Sequence, residues 1–196
     1  MSLNKFPINS SIKGLEIKIV SNEQELMKAF SVRAIVYIHG QQCPYDEEFD
    51  LNDFTATQIL GTLDGEPVLT GRIRYFAGFA KLERLAVREE MRGRGFGHAL
   101  LQFMINVCEQ KGYREFYLHA QKRLQSFYES YGFHVIGDNF QFSDRDYLEM
   151  YAKFTVSRAG LTTRLNPMLL NRPEGRWDIP GPLEMESARS VSVGAV

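Results

Sequence analysis

Arg92-Gly93-Arg94-Gly95-Phe96-Gly97 decides how this chain is read. It stands between Lys81–Val87, which reads as a strand, and His98–Lys111, whose Leu100, Leu101, Met104 and Cys108 recur on one side of a helix that Gly112 stops. Glycines at a strand-to-helix turn let the backbone turn tightly and leave its N–H groups unshielded. The start of the helix adds unpaired donors and a partial positive charge. Together these make a seat for phosphate groups, and Arg92 and Arg94 bring charge to the same place. Gly97 is followed by His98, so no Gly-Lys-Ser/Thr closes a nucleotide-triphosphate loop. The spacing Gly93-x-Gly95-x-Gly97 is not the dinucleotide fingerprint either. The bland alternative is a turn whose glycines serve shape alone.

Working outward, strand and helix alternate. Leu15–Val20 reads as a strand, and Ser21 with Gln24 as a capping box that opens a helix. Leu26, Phe30, Ala34 and Tyr37 follow its period, and Gly40 ends it. An acidic loop follows (Asp46, Glu47, Glu48, Asp50, Asp53), for which a solvated surface loop is the leading reading. Gln58–Leu63 and Pro67–Phe76 flank Asp64-Gly65, a hairpin signal. Beyond the glycine turn, Phe116–Ala120 is a strand and Lys122–Tyr131 a short helix closed by Gly132. Phe133–Ile136 and Tyr147–Phe154 complete the sheet. The order β-α-loop-β-β-β-α-β-α-β-β makes an α+β sheet with helices on its faces.

The 196 residues read as one domain, 1–154, with an irregular C-terminal arm, 155–196, in which four of the seven prolines and the single Trp177 fall. That arm packs on its own domain, docks on a second subunit to form a homodimer, or stays loose. Lys and Arg number 23 against 24 Asp and Glu, a net charge of −1, so the overall basic footprint of a dedicated nucleic-acid binder is missing. No apolar run is long enough to span a membrane. The polar start, Met1–Ser11, does not read as a secretory signal, and only Cys43 and Cys108 occur, so a cytoplasmic protein is the expectation. Four isolated histidines, with no His-Glu-x-x-His or Cys-x-x-Cys spacing, leave no metal site to expect.

Three motifs in order carry a resemblance. Arg92-x-x-Gly95-x-Gly97 is similar to the Arg/Gln-x-x-Gly-x-Gly/Ala signature of the GNAT superfamily of N-acetyltransferases. Leu82–Val87 looks like that family's fourth strand, and Phe127-Tyr128-Glu129-Ser130-Tyr131-Gly132-Phe133 resembles its Phe/Leu-Tyr-x-x-x-Gly-Phe motif. The resemblance covers roughly residues 15 to 154. Within the superfamily, His119-Ala120-Gln121 with Leu124-Gln125-x-Phe127-Tyr128 resembles the ElaA-like branch. Arg33-x-x-Val36-Tyr37 and Glu48-x-Asp50-x-x-Asp53 occur there and in acyl-homoserine-lactone synthases. Tyr147 stands where that branch carries a histidine.

The resemblance implies a mixed, mostly antiparallel sheet with a central V-shaped splay and helices on both faces. It implies acetyl-CoA, or another acyl-CoA, as donor. The pyrophosphate would rest on the amides of Arg92, Gly93, Arg94, Gly95, Phe96, Gly97 and His98. The pantetheine arm would run beside Leu85, Ala86 and Val87 like an added strand, in a slot opened by the parting of the strands that hold Leu85 and Phe116.

Acyl transfer to an amine requires that an ammonium lose a proton, that an oxyanion be stabilised and that a thiolate be protonated. A phenol of pKa about 10 stays protonated beside a thiol of about 8.5, so Tyr128 is the candidate acid; the competing reading is a core residue. Glu83 is the candidate base, on the same strand face as Leu85; an ion pair with Lys81 or Arg84 is the competing reading. His119 has the intrinsic pKa better suited to a base, though a lone histidine is more often structural. Arg33, Arg72 and Arg74 are candidates for an acceptor carboxylate, with His119 beside them. Cys108 reads as a buried apolar residue and Cys43 shows no activating partner, so an acyl-enzyme is not expected. The expected function is acetyl transfer to a small-molecule amine in a ternary complex. A longer-chain N-acyltransferase and a non-catalytic acyl-CoA sensor are the alternatives.

Overall fold

Leu15, Ile17 and Ile19 alternate along β1 (Leu15–Ile19), the first element of a computed structural model that describes residues 12–142, 145–155, 172, 174, 179–181, 184 and 185. Most of the expected arm, with Trp177, lies outside the described residues. The helix α1 (Glu23–Arg33) begins one residue later than its sequence pattern indicates. Its cap is Asn22, whose Oδ1 accepts the Glu25 N–H at 2.9 Å. The Glu25 carboxylate reaches back to the Ser21 N–H at 2.9 Å. Lys18, at 2.6 Å, and then the Ser21 amide hold the Glu25 pKa down at about 2. Asn22 thus takes the role expected of Ser21, because its amide oxygen reaches the third helical N–H.

From Ala34 to His39 the helix widens into a π-turn that ends at Gly40. A wider turn shifts the side chains that follow it off the 3.6-residue period, and such turns cluster at functional sites. Here it delivers Tyr37, whose hydroxyl donates to the Leu85 carbonyl at 2.8 Å. The acidic stretch folds into the one-turn helix α2 (Tyr45–Glu48) and a 3-10 turn, Leu51–Phe54.

The strands β2 (Thr57–Leu63) and β3 (Glu66–Tyr75) pair across Asp64 and Gly65, both at positive φ (51° and 89°), as the tight Asp-Gly hairpin requires. Next come β4 (Ala80–Val87), α3 (Phe96–Gln110) and β5 (Glu115–Gln121). The expected helix over 122–131 is shorter, a 3-10 turn (Lys122–Leu124) leading into α4 (Gln125–Glu129). Beyond it lie β6 (His134–Val135), β7 (Phe140–Phe142) and β8 (Arg145–Lys153). The strand β7 was not anticipated; three residues with one alternation carry too little pattern.

The sheet runs β1-β2-β3-β4-β5-β8-β6, with β7 on β8. Its pairs are antiparallel except β4 with β5. The helix α3 covers one face, where Leu69, Ile73 and Leu82 meet Leu100, Leu101 and Met104 in the main core. It lies so close that a Cβ on Gly71 would fall 2.5 Å from the Met104 sulfur. On the other face Val32 of α1 and Val36 of the π-turn pack on Ala86. From the far end of the chain, Glu174 pairs with Lys111 of this same domain at 2.6 Å.

Candidate active site

The strands β4 and β5 are paired only at Ala80–Phe116 and Lys81–Tyr117. Beyond these two positions they part. The parting opens a cavity of about 910 Å³ that runs from the glycine turn past Leu85 and Tyr128 to His119 and Tyr147. A bulge in β4 accompanies it. Thr70 faces Ala86 and Arg72 faces Glu83, so Arg84 and Leu85 together stand opposite the single Gly71. Arg84 takes up the bulge at φ 53°. Its guanidinium is held by the Glu47 carbonyl at 2.7 Å and the Glu48 carboxylate at 3.1 Å. The extra residue breaks the alternation. Glu83 therefore shares a face with Arg72, whereas Leu85 packs toward the α3 core. The expectation that Glu83 and Leu85 share a face fails for this reason.

At one end of the cavity Gly93 and Gly95 adopt positive φ of 73° and 87°, and Gly95 caps α3. Neither would crowd a Cβ, so their need is conformational rather than one of space. The Arg92 N–H is used by the Glu89 carbonyl at 3.1 Å. Among the described residues the amides from Gly93 to His98 make no close, well-aligned hydrogen bond, and the turn over Arg92–Gly95 is only weakly hydrogen-bonded within itself. Arg92 donates from Nε to the Val87 carbonyl at 3.2 Å, and Arg94 lies over the Phe96 ring, 5.5 Å from its centroid. The Phe96 side chain is buried in the core, and the His98 ring is tied to the Tyr131 hydroxyl at 2.9 Å. Phe96 can therefore serve a ligand only through its backbone, whereas His98 is exposed at the cavity and only its Nδ1 is engaged.

Tyr128 comes from α4 and is 5% exposed. Its ring packs against Phe127 and Phe133, and its hydroxyl has no hydrogen-bond partner among the described residues. Burial pushes its pKa well above that of a free phenol, against a smaller pull from Arg123. The group is thus a protonated O–H on the cavity wall. Tyr131, just beyond the end of α4, packs with His98 and Phe127.

Asp46 and Glu47 are exposed, as a surface loop requires, but Glu48, Asp50 and Asp53 turn inward, against the expectation of a solvated loop. Asp50 and Asp53 take Arg72 NH1 at 2.6 and 2.9 Å, and Asp53 also takes Arg33 NH1 at 2.6 Å. Glu48 takes Arg33 Nε at 2.5 Å. Burial raises the pKa of Asp50 and of Asp53, but the arginines outweigh it and both carboxyls end below their ordinary value. Arg33 is wholly enclosed, lies under the rings of Phe30 and Phe49, and does not line the cavity. It is a strut for the acidic segment rather than a substrate contact. Arg72 borders the cavity but spends its guanidinium on Asp50, Asp53 and Glu83.

Glu83 sits among Arg72 at 2.9 Å, Lys81 at 2.9 Å and Arg74 at 3.8 Å. Desolvation raises its pKa, but Arg72 and Lys81 overcome this and hold it below the usual carboxylate value. A carboxylate so clamped is a poor proton acceptor. Arg74 stays partly exposed on the cavity wall, and His119 faces the same space from β5. Burial pushes the Cys108 thiol pKa well up.

Tyr37, Gln121 and Tyr147 also line the cavity, and sequence reasoning passed over the roles of the first two. A signal for them existed. Gln121 and His119 alternate along β5, and opposite them stand Tyr147 and Glu149 of β8. Among the described residues no helix is long and apolar enough to cross a membrane.

The splayed strands, the glycine-turn amides and the Tyr128 hydroxyl suit an acyl-transferring site, and comparison with known proteins points to the same class. Residues 48–154 match the family described as "Acetyltransferase (GNAT) domain". The chain belongs to that family and is an acyl-CoA-dependent N-acetyltransferase. It is 34% identical over 121 residues to an uncharacterised N-acetyltransferase, YjcF, of Bacillus subtilis, covering 61% of this chain and 86% of that one. The crystal structure of Escherichia coli ElaA superposes with a TM-score of 0.66 at 26% identity, covering 71% of this chain and 99% of that one. An acyl-CoA N-acyltransferase from Pseudomonas aeruginosa gives a TM-score of 0.65 at 25% identity, over 70% and 97% of the two chains.

Proposed function

We propose that the chain transfers the acetyl group of acetyl-CoA to a small-molecule amine, by direct attack within a ternary complex. The observation that carries this reading is the parting of β4 and β5 between two fixed features. At one end are the amides of Gly93–His98, at the start of α3, and on the wall is the Tyr128 hydroxyl, neither held by a close hydrogen bond among the described residues. The amides hold the diphosphate of the donor. The β4 edge from Leu85 to Val87, abandoned by β5, takes the pantetheine arm in strand fashion. Tyr37 and Arg92 orient the Leu85 and Val87 carbonyls, each of which keeps a second lone pair for the arm. A backbone N–H of this edge faces the oxygen that gains charge during attack. Tyr128 gives its proton to the departing sulfur.

The residues that pointed to longer acyl chains, Arg33, Asp50 and Asp53, are engaged in the buried ion network, which leaves acetyl transfer the better supported reading. The test is free-thiol release from acetyl-CoA with glycine, lysine, ethanolamine, spermidine and glucosamine, beside octanoyl-CoA as donor. At least one amine is expected to release thiol, faster from the acetyl donor. Donor binding without thiol release from any amine would make the protein an acyl-CoA sensor and end the transferase reading.

A further inference from the structure

His119, Tyr117 and Glu149 form a hydrogen-bonded chain on the sheet face that carries Lys81, separate from the buried ion network. The register builds it: His119 stands opposite Glu149 across β5 and β8, and Tyr117 lies two residues back on β5, beside Lys81. Tyr117 Oη donates to Glu149 Oε1 in a short bond and lies 2.8 Å from His119 Nε2. His119 Nε2 is itself 4.0 Å from the carboxylate, too far to bypass the phenol.

Proton counting assigns the tautomer. A phenol has one O–H, and Glu149 takes it. Burial and then the Glu149 hydrogen bond push the Tyr117 pKa up, so the proton stays on oxygen. Tyr117 Oη can therefore only accept from the imidazole, and Nε2 must carry the hydrogen. Nδ1 is then a bare lone pair. It has no partner among the described residues, and the ring lines the cavity with the edge of Phe140 packed 4.9 Å from its centroid. The charged groups that face it are Lys81 and Glu83 from β4 and Glu149 from β8. Burial, and then Lys81, lower its pKa below the ordinary histidine value, so the ring is neutral at pH 7.

We propose that His119 Nδ1 is the general base of the acetyl transfer, and that Tyr117 and Glu149 are positioning residues that fix its tautomer. The inference rests on the transferase reading above. The acceptor ammonium gives one proton to Nδ1, and the freed lone pair forms the nitrogen–carbon bond while the carbon–sulfur bond breaks. Tyr128 protonates the sulfur and recovers the second proton that the nitrogen sheds. His119 then returns its proton to water, so amide, thiol and one proton leave.

The test has two arms on the full chain. In the first, long-range proton–nitrogen spectra of the 15N-histidine-labelled protein at pH 8 are expected to show His119 as the Nε2–H tautomer, with a mixture in Tyr117→Phe. An Nδ1–H tautomer in the unaltered protein would overturn the proposal. The second arm is thiol release against pH with the fastest amine of the panel. Activity should fall along an acid limb set below the ordinary histidine range as His119 protonates. His119→Gln should lose about 10²-fold in kcat and lose that acid limb, while Glu149→Gln moves the limb with a smaller loss. If His119→Gln keeps both rate and limb, His119 is not the base, while the transferase reading stands. If acetyl-CoA binds and no amine releases thiol, both readings fall together.

Discussion

Tyr128→Phe is expected to bind acetyl-CoA as tightly as the unaltered protein and to turn over at least about 10²-fold more slowly. The substitution removes one oxygen and leaves the ring packed on Phe127 and Phe133. The hydroxyl has no partner among the described residues, so its loss orphans no buried group there and stability should change little. Leaving-group protonation is what disappears. A thiolate is a tolerable leaving group, so the loss is in kcat and not total. Donor titration beside steady-state thiol release checks this. Unchanged turnover would remove Tyr128 from the chemistry.

Arg72→Met is expected to destabilise the fold by about 3–5 kcal/mol, measured by urea unfolding. Arg72 is 1% exposed and its guanidinium meets Asp50, Asp53 and Glu83. Methionine fills much of the volume but strands these carboxylates in a poorly solvated place. A pH signature separates this from simple loss of packing. The folded-state pKa values of Asp50 and Asp53 lie below the unfolded value of about 3.9. Their contribution is therefore fully present above that value and is lost as pH falls through the folded ones. The unaltered protein should hold its melting temperature from neutrality down to about pH 5 and lose it steeply below pH 4. In Arg72→Met that acid slope should be shallower, since the stabilisation it reports is largely gone. An equal slope would mean that the pairing with Arg72 does not set these pKa values.

How much of this was legible in advance depends on the range of the interactions. The strand-turn-helix around Arg92–Gly97 was readable, because its glycines and its apolar period are local, although α3 starts at Phe96 rather than at the expected His98. So was the position of Tyr128 on a short helix, through the motif it shares with a known family. The β4 bulge was not. Arg84 and Leu85 look like any alternating pair, and only the pairing with Gly71 reveals the extra residue. The face assigned to Glu83 was wrong for that reason. The charged segment 46–53 misled for a related one. A run of acids with no visible partners reads as surface, yet its partners Arg33, Arg72 and Arg84 come from α1, β3 and β4. Nothing in the local sequence announces that these three arginines converge. The Tyr117–His119–Glu149 chain was half legible: the i, i+2 spacing on β5 was visible, but its carboxylate arrives only through the β8 register.

The proposed transfer depends on the amides from Gly93 to His98 holding the donor's diphosphate. A titration of the 15N-labelled protein with acetyl-CoA, followed by amide resonances, tests it most directly. Saturable shifts are expected, largest at Gly93, Gly95, Phe96, Gly97 and His98, with smaller ones along Leu85–Val87, and the same loop shifts with coenzyme A lacking its acetyl group. Unmoved loop amides at high micromolar acetyl-CoA, or shifts confined to the far wall at His119 and Tyr147, would contradict it.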